Sequence, residues 1–168
     1  MEALQKFAER SQENSGKLPM TLENGLPNFF IIGAAKAATT SLASLLDQHP
    51  EAALSVPKEP HFFSNNTNFS AGIEKYKQCF LYDPAKTKAI GDASTSYSRL
   101  RKNPNTIQRI KQVIPKPKFI YMVRNPIRRI ESAYVEQMTT LPNQDIRSIN
   151  EAINKIFLLI VSFILHEV

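Results

Sequence analysis

Lys36 sits in a run of small residues, Gly33-Ala34-Ala35-Lys36-Ala37-Ala38, and three hydroxyl residues follow it, Thr39, Thr40 and Ser41. This is a means of holding an anion. Small side chains let backbone N–H groups approach closely, and the lysine adds a full charge. Further along the chain, Arg124 and Ser132 stand eight residues apart. A planar guanidinium fork with a nearby hydroxyl suits a terminal phosphate. The two sets share one chemistry, the recognition of phosphate-like groups.

Such residues need elements to place them. Asn28 to Ile32 carry the aromatic and β-branched side chains of a buried strand, and Thr39 to Leu46 put Leu42, Leu45 and Leu46 on one helical face. The start of that helix adds unsatisfied N–H donors and the positive end of its dipole behind the Lys36 turn. Lys118 to Val123, KFIYMV, reads as a second buried strand. Pro126 then fits the first turn of a helix in which Ile127, Ile130, Tyr134 and Met138 recur at helical spacing, with Arg128, Ser132 and Glu136 on a different face. Arg124, at the strand's carboxyl end, converges with Ser132 on one anion if the loop folds back.

Spacing narrows the chemistry. The familiar nucleotide loop, GxxxxGK[ST], places its lysine directly before the hydroxyl residue. Here Lys36 lies three residues after Gly33 and three before Thr39, which disfavours an ordinary magnesium-dependent NTPase. The dinucleotide fingerprint GxGxxG fails as well, because Gly33 is the only glycine in the turn.

The rest of the chain alternates in the same way. A helix is expected near Glu2 to Gln12, a linker near 15–27, a short strand at Ala52 to Val56, a polar loop at 64–70 and a helix at Ile73 to Phe80. Lys88 to Asp92 then reads as extended and Asn105 to Val113 as helical. Alternating strands and helices imply an α/β fold with a central parallel sheet, whose ligands bind at the carboxyl ends of the strands. The run DASTSYS, from Asp92 to Ser98, follows a strand end. It either lines a cleft or caps the next turn, the commoner use of Asp and Ser.

Taken together, GAAKAATTSL and VRNPIRRIESAY resemble the two cofactor motifs of the sulfotransferases that use 3′-phosphoadenosine 5′-phosphosulfate, and PKEPHFF at 57–63 resembles the segment carrying their catalytic glutamate in the carbohydrate and heparan-sulfate branch and in bacterial relatives. The resemblance runs from about Asn28 to Met138. It implies a P-loop-like three-layer fold and divides the chain into an N-terminal helix and linker (1–27), a donor-binding core (28–140) and an apolar C-terminal segment (141–168). Gly33, Ala34, Ala35, Lys36, Ala37, Ala38, Thr39, Thr40 and Ser41 would then hold the 5′-phosphosulfate, and Arg124 and Ser132 the 3′-phosphate. Glu59 would be the catalytic base, Lys36 would stabilise the leaving oxygen, and Lys58 would assist at the sulfuryl group. His61, beside Phe62 and Phe63, reads as a packed or surface histidine outside the site.

The resemblance also implies a hydroxyl or amine acceptor, carbohydrate-like in the sense of that branch, and no metal; no Cys/His cluster has metal-ligand spacing. Two departures stand out. Ala38 occupies a position where the family usually has glycine, which costs energy if the backbone there has positive φ. The chain also stops at Val168, short of the family's usual acceptor-binding segments, so it reads as C-terminally shortened. Two further function classes therefore stand beside a sulfotransferase: a shortened, inactive nucleotide-binding or interaction module, and a small P-loop kinase.

Composition bounds the rest. With 168 residues, 42% of them apolar and 21% charged, there is room for one domain and one core. The net charge of +6 favours an anionic partner, but the basic residues are scattered, which argues against a nucleic-acid surface. The lone Cys79 excludes an internal disulfide and, with a polar N-terminus lacking a signal-peptide core, points to the cytoplasm. Residues 156–165, IFLLIVSFIL, are too short to span a bilayer. They read as a core element, as a surface lacking its partner and prone to self-association, or as a tail altered by a shifted frame or splice.

Overall fold

The computed structural model describes residues 24–140, 148–151 and 153. The helix expected at Glu2 to Gln12 and the apolar run at 156–165 lie outside the described residues. Four strands, β1 (Phe29–Gly33), β2 (Ala52–Leu54), β3 (Ala89–Asp92) and β4 (Lys118–Tyr121), form one sheet in the order β2-β3-β1-β4. Every pairing is parallel. Between the strands run α1 (Thr39–Asp47), α2 (Asn66–Ser70), α3 (Ile73–Lys77), a 3₁₀ turn (Thr95–Ser98) and α4 (Thr106–Val113), and α5 (Pro126–Thr140) follows β4.

The strand period builds two cores. On one face Phe30 joins Phe62, Phe63, Tyr76, Tyr97 and Ile110, contributed largely by α3, α4 and the 3₁₀ turn. On the other face Phe29 and Ile31 meet Ala43 of α1, Leu54 and Ala93. Alternate residues of β1 thus serve opposite layers, as a pleated strand buried on both sides requires. Gly91 is needed for close approach, since a Cβ there would lie 2.2 Å from the Phe29 ring. The three-layer α/β architecture with a central parallel sheet is the one expected from the alternating pattern.

Three local expectations change. Residues 64–70 are not a loop throughout: Asn65 accepts a hydrogen bond from the Asn68 N–H at 3.1 Å and caps α2, while Phe69 packs on the first core. Leu45 does not share the buried face of α1, which instead uses Ala43 with Leu42 and Leu46. β4 is not buried. It is the last strand on its side among the described residues, and Phe119, Tyr121 and Val123 are exposed. Apolar composition alone does not distinguish a central strand from such an edge.

Ala38 settles the question raised by its sequence position. Its backbone is left-handed, with φ 64° and ψ 26°, where a Cβ crowds the following carbonyl. Ala38→Gly should therefore raise stability by about 1 kcal/mol, measured as a higher urea midpoint at unchanged slope. Gly33→Ala should lower it, because the added Cβ would lie 2.8 Å from both Ser98 Oγ and the Tyr121 ring.

Candidate active site

The adjacency of β1 and β4 brings the two anion-binding motifs together. Ala34 N–H donates to the Met122 carbonyl at 2.9 Å and Met122 N–H to the Gly33 carbonyl at 2.7 Å, so the chain leaves both strands side by side. Arg124 then reaches across, its Nη1 donating to the Lys36 carbonyl at 3.0 Å. The result is a polar cleft of about 440 Å³ lined by loop and α1 residues Ala35, Lys36, Ala38, Thr39, Thr40 and Ser41, with Arg124, Ser132 and Glu59 opposite. That volume falls within the roughly 300–1,000 Å³ of small-molecule sites.

The two helix N-termini at the cleft differ. Asn125 Oδ1 accepts from the N–H groups of Ile127 at 3.0 Å and Arg128 at 3.3 Å, which occupies donors in the first turn of α5. No side chain caps α1. The first-turn residues Thr39, Thr40 and Ser41 have no carbonyl within their own helix to bond, and all three line the cleft. Gly33, Ala34 and Ala37 do not line it. Ala34 N–H is engaged by Met122, and Ala37 N–H donates back to the Ala34 carbonyl at 3.1 Å, so these residues shape the turn rather than face a ligand.

Glu59 enters the cleft from the segment after β2. Its carboxylate accepts from Lys58 Nζ at 2.8 Å and from Thr95 Oγ1 at 3.1 and 3.3 Å, and lies 3.6 Å from His61 Nε2. Burial works against ionisation, but Lys58, Thr95 and His61 together outweigh it and hold the carboxyl below the ordinary glutamate range. Lys58 is absent from the cleft lining and acts on the site through Glu59. His61, expected as a packed or surface histidine outside the site, does not line the cleft, but it lies beside Glu59 and its Nδ1 is 2.7 Å from Ser96 Oγ.

Three lining residues were not singled out as site residues from the sequence: Thr95, Arg99 and Glu136. Glu136 pairs with Lys36, Oε1 to Nζ, at 2.9 Å. It had a legible signal, lying one helical turn after Ser132 on the same face. Thr95 belongs to the DASTSYS run, which both lines the cleft and forms the next turn. Arg99 had no signal beyond its charge. Four non-glycine residues here have positive φ, namely Lys36 (64°), Ala38 (64°), Glu59 (60°) and His61 (52°). Strain of this kind concentrates where function over-determines the backbone.

Fold and cleft define a P-loop-like α/β protein with a polar, lysine- and arginine-lined cleft at the carboxyl end of a parallel sheet. Residues 27–160 match the family model described as Sulfotransferase family, well over half of the chain, and the chain belongs to that family. It is 35% identical over 136 residues to the membrane-associated sulfotransferase kil1 of Dictyostelium discoideum, covering 76% of this chain and 28% of that one. It is 32% identical over 111 residues to heparan sulfate glucosamine 3-O-sulfotransferase 5 of Mus musculus, covering 66% of this chain and 31% of the relative. The chain thus spans about a third or less of the length of these two relatives. A solved sulfotransferase from Alicyclobacillus acidocaldarius superposes with a TM-score of 0.60 at 33% identity, over 74% of this chain and 54% of that one.

Three outcomes follow from the electrostatics. Lys58→Met should raise the Glu59 pKa, since burial then meets less opposition; carbon-13 NMR titration of the glutamate carboxyls reads this directly. The sign for stability is also set. With its folded pKa depressed, Glu59 contributes stability above the ordinary glutamate range, and that contribution disappears as pH falls through the depressed value. Glu136→Gln frees Lys36 and removes a negative charge from the cleft. It should tighten adenosine 3′,5′-bisphosphate binding by about twofold to fivefold in calorimetry.

Proposed function

We propose that this chain transfers a sulfuryl group from 3′-phosphoadenosine 5′-phosphosulfate to a hydroxyl, or amine, of a carbohydrate-like acceptor. The observation that carries the reading is the 3.0 Å bond from Arg124 to the Lys36 carbonyl, which joins two anion-binding motifs in a cleft that also holds Glu59. The donor set fits such a ligand. Lys36 and the hydroxyl-rich start of α1 can take its phosphosulfate end, and Arg124 with Ser132 can take a 3′-phosphate. Family membership supports this donor, and the name of the heparan sulfate relative supports the acceptor class.

The donor supplies an activated sulfuryl group on a phosphate leaving group. The acceptor oxygen forms a bond to sulfur, the bond from sulfur to the bridging phosphate oxygen breaks, and the acceptor's proton must go to a base. Glu59 is ionised at neutral pH, is held at the cleft by Thr95 and Lys58, and is not tied to the Lys36 turn as Glu136 is, so it takes that proton. Lys36 stabilises charge developing on the leaving oxygen once it exchanges Glu136 for the ligand. Thr39 and Thr40 hold the 5′-phosphate. Lys58, already 2.8 Å from Glu59, can lean toward the sulfuryl oxygens, and in doing so makes Glu59 a stronger base. This chemistry asks mainly for positioning and charge stabilisation. A cytoplasmic setting belongs to the same reading and rests on the single Cys79.

Calorimetric titration with adenosine 3′,5′-bisphosphate, ADP and magnesium-ATP tests the donor. The 3′-phosphorylated ligand should bind tightest, whereas preference for magnesium-ATP would favour a kinase. Glu59→Gln should reduce sulfate transfer by about a hundredfold or more while leaving bisphosphate affinity nearly unchanged. Binding by the unaltered chain with no transfer to any hydroxyl or amine acceptor would favour a nucleotide-binding module.

A further inference from the structure

Asp92, at the end of β3, is fully buried among aromatic side chains, yet it has no part in donor binding or proton transfer as derived above. Three hydroxyls donate to it at 2.6 Å: Tyr76 and Tyr97 to Oδ2, and Ser94 to Oδ1. Burial raises its pKa, and the three donated hydrogen bonds, which favour the carboxylate, offset that rise only in part. A carboxylate is acceptor-only, so it dictates the polarity of its neighbours. A hydroxyl has one proton to give. Once Ser94 and Tyr97 donate theirs to Asp92, their oxygens can only accept from the other side.

What they accept is the backbone of the segment that carries Glu59. Ser94 Oγ receives the His61 N–H at 3.2 Å, and the Tyr97 hydroxyl receives the Phe63 N–H at 3.4 Å. Between these two arms, Thr95 Oγ1 donates to the Glu59 carboxylate. Glu59 and His61 both hold left-handed backbone, a conformation that needs outside support.

We propose that Asp92 is a positioning residue for catalysis, which orients Ser94 and Tyr97 so that they clamp the Glu59–Phe63 turn from beneath. It touches neither donor nor acceptor. It acts by fixing which way two buried hydroxyls point, and so sets the height and angle at which Glu59 meets the acceptor. The inference rests on Glu59 being the base. The clamp shares the cleft with the donor site through Thr95 and Glu59, but Lys36, Thr39, Thr40, Arg124 and Ser132 come from the β1–α1 turn, α1 and the segment after β4, so donor affinity should depend on the clamp far less than proton transfer does.

Asp92→Asn keeps the size of the side chain but turns one acceptor oxygen into a donor, leaving at least one arm with opposed polarity. Measured well below its melting temperature and per folded molecule, this variant should lose about tenfold to a hundredfold in kcat. Its affinity for adenosine 3′,5′-bisphosphate should stay within about twofold of the unaltered chain. Ser94→Ala removes one arm while keeping Asp92 and should show the same split to a smaller degree, which provides the test if Asp92→Asn does not fold. Glu59→Gln is run alongside. If it is inactive while Ser94→Ala and Asp92→Asn retain full kcat, the clamp is overturned and the base assignment stands. If Glu59→Gln keeps full activity, the base assignment fails and the clamp falls with it. Parallel losses of kcat and bisphosphate affinity would mean that Asp92 supports only the fold, and would also overturn the proposal.

Discussion

The hydrogen-bonded ladder between β1 and β4 is the constraint on which the site depends. Because the strands are parallel and adjacent, both anion-binding turns leave the sheet at the same end. The last bonds of that ladder, between Gly33, Ala34 and Met122, bring the two turns level, and Arg124 closes the remaining gap by donating to the Lys36 carbonyl. Residues 88 positions apart in the chain become the two ends of one cleft. An antiparallel or non-adjacent pairing of the same strands would place the same side chains at opposite ends or in separate pockets.

Within that frame the lysines at the cleft are paired with carboxylates, and the arginines leave it net positive. Lys36 is matched by Glu136, Lys58 by Glu59, and the guanidinium of Arg124 lies on a backbone carbonyl. Each pairing is partly exposed and so exchanges readily for a stronger anionic partner. The backbone is less forgiving. Left-handed residues at 36, 38 and 59 line the cleft with 61 just beside it, and two of them are tied down from distant parts of the sequence: the Lys36 carbonyl accepts from Arg124, and the His61 N–H donates to Ser94. Fixed backbone with exchangeable charges suits a reaction in which negative charge moves between a leaving phosphate and an acceptor.

Much of this was legible in the chain. The small-residue turn around Lys36, the arginine and serine eight residues apart, and the period-2 and period-3.6 apolar patterns each have a local physical cause, and local causes can be read from sequence. Other features are tertiary. That β4 is an edge strand depends on what pairs beside it, which its apolar composition does not encode. That Asp92 serves as a buried acceptor rather than a cap depends on Tyr76 and Tyr97 arriving from elsewhere in the chain. Arg99 reaches the cleft through the irregular exit of the 3₁₀ turn. His61 looked structural because its neighbours are Phe62 and Phe63, yet those rings anchor the core and leave the imidazole beside Glu59.

The central claim is that one ligand spans both turns, with its 3′-phosphate on Arg124. The most direct measurement compares adenosine 5′-monophosphate with adenosine 3′,5′-bisphosphate on the unaltered chain and on Arg124→Ala. The account requires Arg124→Ala to weaken the bisphosphate far more than the monophosphate, closing most of the gap between them and leaving only what Ser132 still reads. Equal weakening of both ligands, or of neither, would mean that Arg124 does not read the 3′-phosphate and that the two turns do not grip a single donor.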